Sequence, residues 1–393
     1  MRVRVLTFNM GDVAQPRAAW LAEINAAWTP ISESRQYDVL LVTVQEDFAN
    51  KHPYGQFGAA IGDYLAQHDF VQVADVETAP RLPSAKFAVK VFAFARSTLR
   101  LQLTGVESLC VGSSAARRAL CTKSGVAVRL ESPASVQPLI FVGAHLPINN
   151  KKTDLGLAER VDALGVLFSQ IVAPLLRRRD RSSQQQEQRA QTPEADAAIV
   201  LAGDLNFRRD ADTGEDQLQQ IFTSGRWSCI AGRGWSEAAP LEFAPTCKLR
   251  TCQAPAPQPT SQCSLCRANA RNVAQACYET ETAKGRRVPS HCDRVLLHGT
   301  TLRGWRYEPF SRAPAVQQSD HNAVVADLDW LPLQHRQLVQ KLALISRPLL
   351  LRVYFVRHAL SCTNVMQQFG RSLLDKTVRR YAYRDPVLTD RGV

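Results

Sequence analysis

Read for periodicity, the chain is a succession of short apolar runs, each closed by a polar residue. The runs at 3–8 (VRVLTF), 38–44 (DVLLVTV), 90–95 (KVFAFA), 125–130 (GVAVRL), 138–146 (PLIFVGAHL), 197–205 (AAIVLAGDL) and 291–299 (HCDRVLLHG) are aliphatic or β-branched. They are too short for helices and read as buried strands. A different period governs 158–176 (AERVDALGVLFSQIVAPLL), where Val161, Leu164, Leu167, Phe168 and Ile171 recur at three- and four-residue steps. That stripe predicts a helix packed on a core. Many strands with few helices predict an α+β fold, a two-layer β-sandwich flanked by helices.

The pattern breaks in three places. Residues 177–198 are charged and glutamine-rich, with no apolar anchor, and read as a flexible insertion. Residues 249–283 open with prolines alternating with polar residues and carry Cys252, Cys263, Cys266 and Cys277, a second insertion. After Trp330 the text changes to a helical linker, 332–350, and then a new strand. The division expected is a catalytic domain at 1–331, that linker, and a partial C-terminal α/β module at 351–393.

Composition narrows the class without choosing a reaction. Hydrophobic residues at 45% and charged residues at 21% suit a globular protein, and no apolar run approaches the length of about eighteen residues that spans a bilayer. The first residues alternate like a strand and then break at Gly11, unlike a signal peptide. Ten cysteines at irregular spacing then argue for reduced thiols or metal ligands rather than a disulfide framework, and for a cytoplasmic location. A formal charge of +12 favours polyanionic partners: nucleic acid, anionic membrane surfaces met peripherally, or multiply phosphorylated small molecules.

The polar residues that close the strands carry the chemistry. Asn9, Glu46, His145, Asp204, Asn206, Asp320 and His321 each stand at the end or mouth of an apolar run. If those strands lie side by side, all seven reach one rim. Phosphate-ester hydrolysis requires a cation to neutralise phosphoryl oxygens, a proton acceptor for water, and hydrogen-bond donors for the transition state. Magnesium takes one or two carboxylates plus waters and substrate oxygens, so scattered single carboxylates at strand ends are its signature. A lone Asp or Asn after a strand is ordinarily a turn residue or helix cap, and only the ordered set outweighs that reading.

The elements TFNMG, VQED, GAHLP, AGDLNFR and SDHNAV, in this order, resemble the motifs of the endonuclease/exonuclease/phosphatase superfamily. Three more pieces, TKSGVAVRL, GWSEAAPLEFAPTCK and RRVPSHCDRVLLHG, are similar to patterns of the inositol polyphosphate 5-phosphatases. The resemblance implies a magnesium site at Glu46, assisted by Asn9. It implies that Asp204 and Asn206 position or deprotonate the attacking water and contact the phosphoryl group, while His145 donates to phosphoryl oxygens. His321, oriented by Asp320, would stand beside the phosphorus; Asp204 and His321 both remain candidates for the base. Lys248, Arg287 and Arg294 fall where the family binds a neighbouring ring phosphate. Cys247 replaces the family's tyrosine and His291 its tryptophan, departures that bear on ring selectivity more than on hydrolysis. Asp293 is read as structural, paired with Arg294.

Cys263 and Cys266 have zinc-ligand spacing, but with only one tight pair the unstructured insertion is preferred to a zinc site. Further on, VYFVRHALSCTN and DPVLTDRG resemble the opening of the histidine phosphatase (phosphoglycerate mutase-like) family, with Arg357 and His358 at its phosphate-binding and phosphoryl-accepting positions. That family's second arginine, acid and second histidine do not follow, so this second site is incomplete, the segment reading as the truncated start of a module.

The function expected is magnesium-dependent hydrolysis of a phosphomonoester, the 5-phosphate of an inositol phosphate or phosphoinositide. Two alternatives stand beside it. A nuclease or sphingomyelinase-like phosphodiesterase of the same superfamily would share the catalytic set but leaves the CDRVL and PTCK elements unexplained. An inactive phosphoinositide-binding scaffold is disfavoured by intact Glu46, His145, Asp204, Asn206 and His321.

Overall fold

The apolar runs become strands buried on both faces, which is why they read as continuous rather than alternating. The computed structural model describes residues 1–11, 37–47, 57–78, 88–111, 121–133, 135, 137–148, 153–177, 197–210, 213–247, 249, 281–282, 285–286, 288–310 and 319–331. The strands are β1 (Arg2–Asn9), β2 (Val39–Asp47), β3 (Phe70–Glu77), β4 (Ala88–Arg96), β5 (Gln102–Cys110), β6 (Ser124–Glu131) and β7 (Leu139–His145). They continue with β8 (Ala198–Asp204), β9 (Trp235–Glu237), β10 (Glu281–Thr282), β11 (Gly285–Arg286), β12 (Asp293–His298), β13 (Leu302–Phe310) and β14 (Ala323–Trp330). The helices are α1 (Phe57–Ala66), α2 (Thr153–Leu167), α3 (Ala173–Arg177), α4 (Gln217–Thr223) and α5 (Arg226–Ala231).

Two six-stranded sheets form, ordered β13-β14-β1-β2-β4-β3 and β5-β6-β7-β8-β12-β9. Each has one parallel pair near its middle, β1 with β2 and β7 with β8, and antiparallel neighbours elsewhere. The inner faces enclose one core, including Val5, Leu41, Val91, Val128, Phe141, Val200 and Val295. A second cluster lies between the outer face of β7, β8 and β12 and the helices α2 to α5, and a third joins β1, β2 and β4 to α1. The fold is the expected helix-flanked sandwich. Gly143 brings the sheets close at one point, since a Cβ there would run into the Thr43 and Val91 side chains.

Besides β14 and the short β9, β10 and β11, three strands were not among the apolar runs: β3, β5 and β13. They stand at sheet edges, and in β3 half the positions are exposed while Gln72, Asp75 and Glu77 interrupt the apolar residues. The expected single helix is interrupted. After α2 the ladder widens into a π-turn at Phe168–Val172 before α3, immediately ahead of Pro174, which has no N–H to contribute.

The cysteine expectation needs correction. Cys110 and Cys121 form a disulfide, because the return from β5 to β6 brings their Cα atoms to 4.9 Å. Cys247 and Cys292 are free and buried. The disulfide removes the redox argument for a reducing compartment. Among the described residues no helix is long and apolar enough to cross a membrane. Lys248, Arg287, most of both insertions with Cys252, Cys263, Cys266 and Cys277, the linker, and the segment with Arg357 and His358 lie outside the described residues.

Candidate active site

Strand register assembles the site. In the second sheet Ser124 pairs with His145, His145 with Asp204, and Asp204 with Asp293, one row across the ends of β6, β7, β8 and β12. In the first sheet Asn9 pairs with Gln45 at the ends of β1 and β2. Glu46 follows with φ 57, where the β2–β4 register shifts between Gln45 and Asp47. Such an irregularity re-aims a side chain at a strand end. The backbone at Gly203 has φ 152, and a Cβ there would overlap the Ala144 carbonyl, so glycine is required immediately before Asp204.

Asp204 is the hub. Its Oδ2 accepts from Asn9 Nδ2 at 2.9 Å and lies 3.2 Å from His145 Nε2, joining the two sheets. Its Oδ1 accepts the Asn206 N–H at 3.0 Å. The Asn206 side chain is bracketed: Nδ2 donates to the Leu146 carbonyl at 3.0 Å, and Oδ1 accepts from Arg208 Nη2 at 2.7 Å. His145 Nε2 also lies 3.6 Å from Glu46 Oε1 and is contacted by Lys123 Nζ, which stands 3.9 Å from the same Glu46 oxygen. Asn9, Glu46, His145, Asp204, Asn206 and His321 are therefore brought together.

Two expectations fail. His321 Nδ1 is 2.9 Å from Asp293 Oδ2, whereas Asp320 Oδ1 is 3.9 Å from Nε2, so Asp293 and not Asp320 orients the ring. The antiparallel β8–β12 register carries Asp293 into the row, and Thr246 Oγ1 donates to the same oxygen at 2.7 Å. Arg294, expected to bind substrate, is 1% exposed and held inside by Asp216, Glu237 and the His291 carbonyl. Alternation along β12 puts it on the face opposite Asp293, and Asp216, its partner, also caps α4. It is a structural cation and is not paired with Asp293.

The burial of these groups separates their charges. Burial opposes ionisation of Asp204, but His321, His145 and Lys123 outweigh it and hold the carboxyl well below its usual range. Burial and Lys123 push His145 down, favouring the neutral ring. Burial also works against charge on His321, yet Cys247, Asp293 and Asp204 together raise it well above the ordinary histidine value. Burial pushes Asp293 up to about 6 despite His321. The site thus pairs an ionised carboxylate and a neutral histidine with a cationic histidine.

Asp204, Asp293 and His321 offer ligand atoms all within 4.8 Å of one another. Asp293 Oδ1 is buried without a hydrogen-bond partner among the described residues. With Glu46, about a quarter exposed, 3.6 Å from His145 and the Asn9 amide bonded to Asp204, the donors are mostly hard oxygens, a set that fits a divalent cation. Lys123, Arg208 and the role of Asp293 were missed in the sequence, although each sits inside a quoted motif: TKSGVAVRL, AGDLNFR and HCDRVLLHG.

A family model described as Endonuclease/Exonuclease/phosphatase family 2 matches residues 6–327. The chain belongs to that family. Among solved structures, the inositol polyphosphate 5-phosphatase domain of SPsynaptojanin, in complex with inositol (1,4)-bisphosphate and calcium ion, is similar at 16% identity. That match has a TM-score of 0.52 and covers 88% of this chain and 93% of that one. Cimex nitrophorin, as a ferrous NO complex, is similar at 15% identity and TM-score 0.50, over 84% of this chain and 97% of that one. These likenesses concern the fold. No curated protein matches significantly in sequence. A hydrolase of the endonuclease/exonuclease/phosphatase superfamily is thereby the class in which this site is read.

Proposed function

We propose that this family member is a magnesium-dependent phosphoric monoester hydrolase that removes the 5-phosphate of inositol polyphosphates or phosphoinositides. The observation that carries hydrolysis is the convergence of Asp204, His145, Asn9 and Glu46 from both sheets, with the Asp293–His321 pair alongside. The inositol assignment rests on the elements TKSGVAVRL, GWSEAAPLEFAPTCK and RRVPSHCDRVLLHG, and on Lys248 and Arg287. The ligand named for the SPsynaptojanin domain is consistent with it.

Glu46 and Asn9 would hold the magnesium ion, which neutralises phosphoryl oxygens and makes water more acidic when bound. The protein's own groups divide the remaining work. Asp204, ionised and steadied by the Asn206 N–H, accepts the proton of the attacking water. Neutral His145 donates a hydrogen bond to the phosphoryl group. Cationic His321, its Nδ1 fixed on Asp293, presents Nε2–H to the charge that develops on phosphorus or the departing oxygen.

A nucleic-acid phosphodiester is the second reading, favoured by the formal charge of +12. A panel of soluble inositol phosphates, short-chain phosphoinositides and a synthetic abasic duplex, each with magnesium or with chelator, decides between them. Release of the 5-phosphate only with magnesium, abolished by Asp204→Ala, is expected. Cleavage of the duplex without release from any inositol substrate would overturn the proposal.

A further inference from the structure

With Arg294 enclosed, the site needs another explanation of how it grips an anion. Four cationic or protonatable side chains crowd it: Lys123, His145, His321 and Arg208. Three face carboxylates, Lys123 toward Glu46, His145 toward Asp204 and Glu46, and His321 toward Asp293. Arg208 differs. Among the described residues its guanidinium bonds only to a neutral amide oxygen, Asn206 Oδ1 at 2.7 Å, and to sulfur, Cys247 Sγ at 3.4 Å. Its Nε is buried with no partner.

A guanidinium carries five N–H donors in a planar fork, and burying it with no carboxylate bonded to it is costly. The two groups bonded to Arg208 show how the cost is tolerated. Asn206 cannot turn away, because its Nδ2 is tied to the Leu146 carbonyl while its N–H holds Asp204. One edge of the fork is therefore anchored beside the hub of the site. The other edge rests on Cys247, a short, soft acceptor standing where the resembling family has a tyrosine. Phosphate oxygens accept charge-assisted hydrogen bonds far better than sulfur does, and two of them match the fork.

Resting on the phosphoesterase reading above, we infer that Arg208 is a phosphate-binding residue of this site. Its Nη2 stays on Asn206, and the remaining N–H groups, including Nη1 now resting on Cys247, turn to the oxygens of the substrate phosphate. It supplies the anion contact that Arg294 cannot. The same guanidinium explains why Asn206, whose carbonyl oxygen it takes, is oriented with Nδ2 inward.

The test uses the full chain with magnesium and inorganic phosphate as the probe, measured by titration calorimetry for the wild type, Arg208→Ala and Arg208→Lys. Phosphate affinity is expected to fall at least about tenfold in Arg208→Ala, and less in Arg208→Lys, which keeps the charge and loses the fork. Added guanidinium ion is expected to restore phosphate binding to Arg208→Ala, a recovery that a purely structural role would not give. Should Arg208→Ala fail to fold, Arg208→Lys decides alone. Wild-type phosphate affinity in the folded variant, or a wild type that binds no phosphate, overturns the inference. Arg208-dependent phosphate binding in a wild type that releases phosphate from no inositol substrate refutes the proposed function and upholds Arg208.

Discussion

Asp293→Asn isolates the partner of His321 with almost no change of shape. Asp293 is fully buried, and its Oδ2 receives both His321 Nδ1 at 2.9 Å and Thr246 Oγ1 at 2.7 Å. An amide oxygen can still accept from both Thr246 and the ring N–H, but it carries no charge, so neither bond keeps its charge assistance. Without that carboxylate only Cys247 and Asp204 oppose burial, so the His321 pKa falls and the neutral ring becomes more populated. If cationic His321 stabilises transition-state charge, kcat falls about 10²- to 10⁴-fold, which is about 3 to 5 kcal/mol of barrier. The sign of the pH effect follows from the raised pKa. In the wild type His321 stays charged at neutral pH, and activity is lost only as pH rises through that raised value. In Asp293→Asn the same loss begins at lower pH. The assay is magnesium-dependent phosphate release from pH 5 to 10, with thermal melting to confirm that the variant is folded. A folded variant with wild-type kcat and an unmoved alkaline limb would refute the dyad.

Arg294→Met leaves Asp216 and Glu237 without their cation in a buried setting, and urea melts are expected to show a loss of about 3 to 5 kcal/mol. KM of the folded fraction should stay unchanged, and a selective rise in KM would return Arg294 to the substrate. Gly203→Ala forces a Cβ against the Ala144 carbonyl at φ 152; a destabilisation of about 2 to 4 kcal/mol is expected by chemical denaturation, and a neutral result would contradict the register at β8. Cys110→Ser opens a loop of sequence separation 11, for which chain entropy predicts about 3 kcal/mol lost. Identical melting of wild type and Cys110→Ser under non-reducing conditions would show that the bond contributes nothing.

Local order in the sequence determined much of this protein. The aliphatic runs could bury both faces only as central strands, and the three- and four-residue stripe around Leu164 could do so only as a helix. The polar residues that stop those runs were visible because a charge cannot continue into a core, so Asn9, Glu46, His145 and Asp204 were legible one by one. An edge strand such as β3 escaped because half its positions are exposed and Gln72, Asp75 and Glu77 break its apolar run. What only the tertiary structure decided is who meets whom. Asn9 and Asp204 touch across 195 residues, and Asp293 rather than the adjacent Asp320 holds His321 because β12 runs antiparallel beside β8. Strand alternation then turned Arg294 inward although its neighbour in sequence faces the site. Period and composition are properties of a segment, whereas pairing and register belong to segments far apart, and a one-residue difference in register exchanges a ligand for a structural ion pair.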